Sequence, residues 1–241
     1  MARTPYEIRH RRKILPDNSL YALDLILSYY RAKGETVTIM QVGACDGVET
    51  DDPLRDFISS GGTRSILIEP NPVAFALLKK TYEGVPNVTL IQTAIGEKDG
   101  EAYLYRVKDG DIKGTRQSPL LALSTFDQNY LTGKCGIKPD QIERITVPCR
   151  TLASLVAELG LTKIDLLLID VESYDAVIVR MALEMPVRPA CIECEHNNLP
   201  PKVRVPMFEL LEAENYLIAS NTWNMVALQR NVLEEWKTGK K

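Results

Sequence analysis

Polar side chains that bind hydroxyl groups or exchange protons come directly after short apolar segments of this chain. They are Gln41, Asp46, Glu69, Thr93, Asp170, Glu172, Glu195, His196 and Asn197. Carboxylates accept hydrogen bonds from ligand hydroxyls, and an imidazole with an ordinary pKa exchanges protons near neutral pH. If the apolar segments are parallel strands, their carboxyl ends meet at one edge of a sheet. The pattern therefore predicts one polar site that binds a hydroxyl-bearing ligand and transfers a proton.

A glycine turn follows the first of these segments. Residues 36–47, TVTIMQVGACDG, are typical of a buried strand that breaks into a turn at Gly43 and Gly47, where the missing Cβ lets backbone approach a ligand. A second apolar segment, 64–68, ends at Glu69 and is followed by Pro70. A strand, a glycine turn, a helix and a second strand ending in an acid are typical of a nucleoside-binding half-site. We expect Glu69 to accept hydrogen bonds from both ribose hydroxyls.

The spacing of the glycines narrows the class of nucleoside. The turn has the form G-x-x-x-G and lacks the G-x-G-x-x-G spacing that seats a pyrophosphate at a helix N-terminus. This favours a nucleoside without phosphates, of which S-adenosylmethionine is the common case. An NAD-dependent oxidoreductase stays as an alternative, disfavoured by the missing third glycine.

The elements that must position these residues alternate between strand and helix patterns. Strands are expected at 36–42, 64–69, 87–92, 102–106, 144–149, 163–170, 190–195, 216–220 and 226–229. Helices are expected at 18–33, 53–60, 71–82, 124–131, 151–159, 175–184 and 202–214. This alternation predicts an α/β fold with a Rossmann-like, doubly wound sheet. The sheet should be mostly parallel and end in a C-terminal antiparallel hairpin. The polar, aperiodic stretch 108–119 is expected to form a lid over the site.

Composition limits the classes of partner. A chain of 241 residues with 45% hydrophobic and 25% charged residues can form a single α/β domain. We expect a basic segment and a helix at 1–35 that pack on a main domain at 36–241. The net charge of −3 argues against nucleic-acid binding, and the basic run 9–13 is typical of a solvated tail. No apolar stretch is long enough to span a membrane.

Cysteine usage favours a reducing, cytoplasmic location. The chain has five cysteines without the spacing of a disulfide framework, and its N-terminal stretch has no apolar signal-peptide core. The pair Cys191 and Cys194 has the spacing of half a zinc site, but it lies in an apolar strand. Alternate side chains of a strand point to opposite faces, so we predict no metal at this pair.

Six motifs, taken in order, resemble the FkbM family of S-adenosylmethionine-dependent methyltransferases. They are Gln41-Val-Gly-Ala-Cys-Asp-Gly47, Ile68-Glu-Pro-Asn-Pro72, Thr93-Ala-Ile-Gly96, Thr151-Leu152, Ile164-Asp-Leu-Leu-Leu-Ile-Asp-Val-Glu-Ser-Tyr-Asp175 and Glu193-Cys-Glu-His-Asn-Asn-Leu199. The resemblance spans roughly 37–229. It implies a sheet of the class I methyltransferase type and O-methylation of hydroxyls, often on sugars of glycans, glycolipids or secondary metabolites. The predicted cofactor site comprises Gln41, Gly43, Ala44, Asp46, Gly47, Glu69, Pro70, Thr93, Ala94 and Asp170.

The chain departs from the family pattern at three positions. The family often has aspartate where this chain has Gln41, asparagine at Cys45 and glycine at Ser173. The departures at Gln41 and Ser173 motivate an alternative of another class, a non-catalytic nucleoside- or carbohydrate-binding protein on the same fold.

The catalytic hypothesis rests on three residues that follow apolar segments. Transfer of a methyl group to a hydroxyl benefits from a general base, and we expect His196 to be that base. Asp170 or Glu195 is expected to orient the imidazole or the acceptor. The competing interpretations are a helix cap for Asp170 and, for His196, an ordinary surface residue or a polar residue whose hydrogen bonds are satisfied within the fold. A divalent ion held by Asp170 and Glu195 is compatible with the residue types, but none is predicted. The acceptor is expected to be a small molecule or glycan.

Overall fold

The computed structural model describes residues 7–8, 22–48, 53–108 and 119–238. Its strands are β1 (Glu7–Ile8), β2 (Val37–Val42), β3 (Thr63–Ile68), β4 (Val88–Ile91), β5 (Ala94–Ile95), β6 (Gly100–Val107), β7 (Ser124–Thr125), β8 (Ile142–Arg150), β9 (Leu166–Ile169), β10 (Cys191–Glu195), β11 (Tyr216–Ser220) and β12 (Asn224–Gln229). Its α-helices are α1 (Ala22–Lys33), α2 (Pro53–Ser59), α3 (Pro72–Thr81), α4 (Pro119–Ala122), α5 (Leu152–Glu158), α6 (Asp175–Glu184), α7 (Pro201–Ala213) and α8 (Arg230–Thr238).

The main sheet has the strand order β1-β11-β12-β10-β9-β2-β3-β4. Five neighbouring strands, β10, β9, β2, β3 and β4, run parallel to one another. Strands β11 and β12 form an antiparallel pair at the C-terminal side, and β12 joins the parallel part through β10. The prediction of a mostly parallel α/β sheet that ends in an antiparallel hairpin is therefore confirmed.

Helices cover both faces of this sheet, because alternate side chains of each buried strand point to opposite sides. In β2, Ile39 packs in a cluster with residues of α1, α2 and α3, whereas Met40 packs in a cluster with residues of α5, α6 and α7. All six residues of β2 are buried. This arrangement explains the nearly continuous apolar strands and is the doubly wound architecture expected from the sequence.

A second, four-stranded sheet was not expected as a separate unit. It has the order β5-β8-β6-β7, and β6 pairs with β8 in antiparallel fashion over its whole length. The sequence predicted β6 and β8 as short strands. It also predicted a helix over 124–131, of which only the part from residue 128 onward is helical. In the structure Ser124 and Thr125 pair with β6, and a π-helical turn spans Tyr130–Lys134. Pairing with the edge of β6 outweighs the weak helical preference of this short segment.

Several sequence predictions concern residues outside the described ranges. The basic run 9–13 and the start of the first predicted helix at 18–21 are among them. So is the middle of the expected lid, 109–118. Within the described ranges, none of the helices is long and apolar enough to cross a membrane.

Candidate functional site

The glycine turn lies between the carboxyl ends of two neighbouring strands. Gly43 follows β2 with a φ of +86°, and the amides of Gly43 and Ala44 both donate to the carbonyl of Ile68, at 2.9 and 3.0 Å. A Cβ on Gly43 would lie 1.8 Å from the carbonyl oxygen of Asp170 at the end of β9. Only glycine has the dihedral freedom and the small size for this position. The backbone at Gly43, which carries no side chain, therefore lies beside the strand ends that carry Glu69 and Asp170.

The Glu69 carboxylate connects this turn to the start of α3. Its Oε2 accepts a hydrogen bond from the amide of Cys45 at 2.9 Å, and its Oε1 accepts one from the amide of Asn71 at 2.7 Å. Only 4% of the residue is exposed. A carboxylate oxygen has two lone pairs, so each oxygen can accept a further hydrogen bond from a ligand hydroxyl.

Burial raises the pKa of Glu69 to about 7. The two backbone N–H donors oppose this rise, and the nearby charge of Asp46 adds to it. Near neutral pH the carboxyl is therefore divided between its protonated and ionised forms. Hydrogen bonds donated by a ligand would favour the ionised form.

A cleft of about 620 Å³ opens beside the glycine turn and Glu69. Its lining residues come from the carboxyl ends of the parallel strands and from the second sheet. They are Val42, Gly43, Cys45, Glu69, Pro70, Thr93, Ala94, Ile95, Leu104, Ala122, Ser124, Thr125, Phe126, Asp170, Val171, Glu172 and Tyr174. Three of these residues are carboxylates, and among the described residues that line the cleft there is no lysine, arginine or histidine. The cleft lies where ligands of open α/β sheets bind, beyond the carboxyl ends of the strands, and its charges favour a ligand with positive charge.

The turn after β9 holds two consecutive non-glycine residues at positive φ. Glu172 has a φ of +52° and Ser173 a φ of +88°, which non-glycine residues adopt infrequently. Thr125 of the second sheet donates from its hydroxyl to the carbonyl of Glu172 at 2.8 Å, and Tyr130 donates to Oε2 of Glu172. Burial raises the pKa of Glu172, and the hydrogen bond from Tyr130 partly opposes the rise. The second sheet thus holds a strained turn at the edge of the cleft.

Six of the ten predicted cofactor residues line the cleft. They are Gly43, Glu69, Pro70, Thr93, Ala94 and Asp170. The Thr93 hydroxyl donates to backbone carbonyls, at 3.1 Å to Pro148 and at 3.2 Å to Ala94. It therefore joins the end of the parallel sheet to β5 and β8. That these six residues contact a cofactor stays a prediction.

The other four predicted cofactor residues, Gln41, Ala44, Asp46 and Gly47, do not line the cleft. Gln41 is buried within β2, and Ala44 is buried beneath the turn. Asp46 accepts a hydrogen bond from the amide of Val48 at 3.0 Å. A Cβ on Gly47 would lie 2.7 Å from the Tyr82 ring, so this glycine permits close packing against the end of α3. These four residues shape the turn, and direct contact with a ligand through them stays a prediction.

The predicted catalytic residues are only partly brought together. Asp170 lines the cleft, whereas His196 and Glu195 do not. The His196 ring is 4% exposed, packs edge-on against Phe208 of α7 with centroids 5.4 Å apart, and has Nε2 3.0 Å from the carbonyl oxygen of Asn221. The ring lies at the carboxyl end of β10, the same edge of the sheet as the cleft, and packs against α7. The role of general base for His196 stays a prediction.

Glu195 accepts a hydrogen bond from the side chain of Asn198 at the end of β10. Lys134 of the π-helical turn donates to the carbonyl of Asn197 at 3.2 Å and to the side chain of Asn198. These contacts join the end of β10 to the segment that carries Tyr130. Glu195 therefore lies beside the same segment that holds Glu172.

The second sheet and its connections supply cleft residues that the sequence did not identify. They include Leu104, Thr125, Phe126 and Tyr174. The Phe126 and Tyr174 rings pack edge-to-face with centroids 5.0 Å apart and join the second sheet to the turn after β9. The only sequence signal for this arrangement was the accumulation of acids at 170–175, which marked the turn but not its partners.

No group of three or more histidine, cysteine, aspartate or glutamate side chains within the described ranges has an arrangement that could hold a metal ion. Cys191 and Cys194 pack in clusters on opposite faces of the main sheet. This separation follows from the alternation of side chains along β10.

Comparison with known proteins identifies a family. The methyltransferase FkbM domain matches residues 41–218, which include the glycine turn, Glu69, the turn after β9 and the end of β10. No curated protein sequence matches the chain significantly.

Solved structures with similar folds are distant in sequence. A Methanococcus jannaschii fibrillarin pre-rRNA processing protein has 13% identity and a TM-score of 0.44, covering 81% of this chain and 67% of its own. A Bacillus cereus O-methyltransferase in complex with SAH has 11% identity and a TM-score of 0.44, covering 89% and 84%. Aeropyrum pernix fibrillarin with natively bound S-adenosyl-L-methionine has 12% identity and a TM-score of 0.43, covering 84% and 74%. Similarity at this level does not identify an activity.

Proposed function

The chain belongs to the FkbM methyltransferase family, and we propose that it transfers a methyl group from S-adenosylmethionine to a hydroxyl of a sugar, glycan or secondary metabolite. The observation that carries this proposal is the cleft, which combines a bare glycine turn, a buried carboxylate and no cationic lining residue among those described.

The charge of the cleft supports S-adenosylmethionine over a dinucleotide. S-adenosylmethionine carries a positive sulfonium and no phosphate, whereas NAD carries an anionic pyrophosphate. Three carboxylates, Glu69, Asp170 and Glu172, line the cleft. Carboxylates attract a cation and repel a pyrophosphate in a partly buried site, where screening by water is weak. The cleft therefore fits the first ligand and not the second.

Residues on the two sides of the glycine turn would hold the cofactor. Glu69 would accept hydrogen bonds from the ribose hydroxyls through the lone pairs that Cys45 and Asn71 leave unused. The bare backbone at Gly43 would allow the cofactor to approach the ends of β2 and β9. Asp170 would orient the cofactor or the acceptor from the end of β9. The bound cofactor supplies an electrophilic methyl group.

The acceptor we propose is a hydroxyl group with no phosphate or carboxylate next to it. The carboxylates of the cleft would repel an anionic acceptor, while sugar and polyol hydroxyls can donate hydrogen bonds to them. Alignment of the acceptor oxygen with the methyl carbon supplies much of the rate of such a displacement. Asp170, on the edge of the cleft, is the predicted catalytic residue that the geometry supports best for this alignment.

Titration calorimetry tests the choice of cofactor. The full chain should bind S-adenosylmethionine and should show no binding of NAD at the same concentrations. Binding of NAD in place of S-adenosylmethionine would overturn the proposal in favour of an oxidoreductase.

A transfer assay tests the reaction. With S-adenosylmethionine labelled on its methyl group, label should appear in neutral probes such as methyl α-D-glucopyranoside or glycerol. Glucose 1-phosphate should be a poorer acceptor because of its charge. Tight binding without transfer to any hydroxyl probe would favour a non-catalytic nucleoside-binding protein.

A further inference from the structure

The Glu172 carboxylate differs from the Glu69 carboxylate in how its two oxygens are used. Oε2 accepts the hydrogen bond from the Tyr130 hydroxyl, whereas Oε1 has no hydrogen bond to any residue in the described part of the chain. In Glu69 both oxygens accept backbone hydrogen bonds that join two turns. Glu172 therefore has one oxygen fixed by the protein and one available to a ligand at the cleft.

The backbone around Glu172 is held in a conformation that it would not adopt alone. The positive φ values of Glu172 and Ser173 cost free energy. Thr125 donates to the Glu172 carbonyl at 2.8 Å, and its Oγ1 lies 3.4 Å from the Ser173 hydroxyl. Strain of this kind persists where the surrounding structure imposes it, and it is concentrated at functional sites. The contacts with the second sheet fix the position of the Glu172 side chain.

Other titratable groups surround this carboxyl on three elements. The π-helical turn contributes Tyr130, Lys134 and Cys135, and the start of α6 contributes Asp175. Glu195 at the end of β10 acts on Tyr130 and Asp175 in turn. The charge of Lys134 favours ionised Glu172, whereas burial favours the protonated form. Burial thus shifts the proton affinity of this carboxyl in the direction that a general base requires, and Tyr130 and Lys134 partly oppose the shift.

We propose that Glu172 is the general base of the methyl transfer and that Tyr130 positions it. This assignment rests on the proposed function and gives the role of base to a residue other than His196. The acceptor oxygen forms a bond to the methyl carbon while the bond from that carbon to sulfur breaks. The electron pair of the broken bond stays on sulfur, which becomes a neutral thioether. The hydroxyl proton passes to Oε1 of Glu172.

The first experiment compares Glu172→Gln with the wild type in the transfer assay on methyl α-D-glucopyranoside. General-base catalysis typically contributes about 10²–10⁴-fold, so Glu172→Gln should lower kcat by about 10²-fold or more. Calorimetry should show a much smaller change in the Kd for S-adenosylmethionine, because one of the three cleft carboxylates loses its charge while Gly43, Glu69 and Asp170, which would hold the cofactor, are intact. As a control, Glu83→Gln removes an exposed carboxylate that does not line the cleft. It should leave both kcat and the Kd for S-adenosylmethionine unchanged.

The second experiment concerns Tyr130, and its first measurement needs no acceptor. The pKa of Glu172 is measured from the ¹³C carboxyl resonance of labelled glutamate, assigned by its absence in Glu172→Gln. Because the tyrosine hydrogen bond favours the ionised form, Tyr130→Phe should raise this pKa. The midpoint of the pH profile of kcat should move upward by the same amount. Tyr105→Phe, a change in the same apolar cluster, should move neither.

The outcomes separate this assignment from the proposed function. Near-normal transfer by Glu172→Gln, or a Glu172 resonance whose midpoint does not move in Tyr130→Phe, would overturn the assignment alone. If kcat no longer depends on pH in His196→Ala but still depends on pH in Glu172→Gln, the role of general base would return to His196. A wild-type protein that does not bind S-adenosylmethionine would overturn the proposed function itself.

Discussion

At the scale of single residues, Glu69 has two roles that the sequence presented as one. Its position after β3 predicts a contact with the ribose hydroxyls. The structure adds that the same carboxylate accepts hydrogen bonds from the amides of Cys45 and Asn71, and so connects the glycine turn to α3. Ligand binding and the order of two turns therefore depend on one buried group.

Glu69→Ala should weaken the binding of S-adenosylmethionine by about tenfold or more, since hydrogen bonds to a charged group contribute roughly 1.5–3 kcal/mol. Calorimetry on the folded variant measures this effect, and Glu83→Gln again serves as the control for loss of a carboxylate. An unchanged Kd in Glu69→Ala would remove Glu69 from the ribose site.

The binding of S-adenosylmethionine should also depend on pH through Glu69. Ribose hydroxyls donate to the ionised carboxylate, and burial raises the pKa of the free carboxyl to about 7. Below that value the Kd should increase by up to about tenfold per pH unit, because binding must then release a proton. Calorimetry at pH 6 and pH 8 checks this, and Glu69→Gln should flatten the difference. A Kd that is equal at both pH values in the wild type would contradict it.

At the scale of elements, the two turns beside the cleft differ in the types of residue that they hold at positive φ. The turn at Gly43 has a residue suited to its φ of +86°, whereas the turn after β9 places glutamate and serine at positive φ. The family often has glycine where this chain has Ser173. The φ of +88° explains that preference, because glycine adopts it without strain. The chain keeps the same turn with a less suitable residue, and the second sheet holds it in place.

Ser173→Gly should therefore raise the free energy of unfolding by about 0.5–1 kcal/mol, the relief of strain being partly offset by the greater entropy of glycine in the unfolded chain. Urea denaturation of the variant and the wild type measures the difference. A clearly lower stability would show that the contact between the hydroxyls of Ser173 and Thr125 outweighs the strain.

Gly43→Ala should have the opposite effect. Its Cβ would lie 1.8 Å from the carbonyl oxygen of Asp170, and alanine is strained at the φ of this position. The ends of β2 and β9 would have to separate, so both the melting temperature and the affinity for S-adenosylmethionine should fall. Gly133→Ala is a matched control, since its added Cβ would have no neighbouring atom within 4 Å and the φ of Gly133 is not positive. Equal losses in the two variants would contradict the explanation.

At the scale of the whole molecule, three carboxyls make stability depend on pH: Glu69 and Asp175 are buried, and Glu172 is partly buried. Burial raises the pKa values of Glu69, Glu172 and Asp175 above their ordinary values. The folded state therefore binds their protons more tightly than the unfolded state does. Their contribution is fully present below the unfolded pKa values and is lost as the pH rises through the folded ones. In the ligand-free protein, ionisation of these three carboxyls lowers the free energy of unfolding. A bound cationic ligand would offset that loss by stabilising their ionised forms.

The free energy of unfolding should accordingly fall as the pH rises from about 4.5 to about 7, the window between the unfolded and folded values of Glu69. For Glu69 alone the loss is of order 3 kcal/mol. Urea denaturation at pH 5 and pH 7.5 measures the slope, which should be smaller in Glu69→Gln. Equal slopes in the two proteins would show that Glu69 is not the group responsible.

The sequence by itself determined the local features of this protein. The nearly continuous apolar character of β2 indicated a buried strand, and the alternation of strand and helix patterns along the chain predicted the doubly wound sheet. The glycine turn and Glu69 were identifiable because each depends on a few neighbouring residues. The family was identifiable because its motifs lie at strand ends, in order along the chain.

The tertiary structure alone decided which of these residues share the cleft. Ser124 and Thr125 pair with β6, which a local pattern does not encode, and the helical turn that follows them ends as a π-helix at Tyr130–Lys134. That pairing places Thr125 and Tyr130 against Glu172. The side chain of His196, at a predicted strand end, packs against Phe208. A strand pattern locates the end of each strand, whereas the direction of the side chain that follows depends on the helices and sheets packed around it.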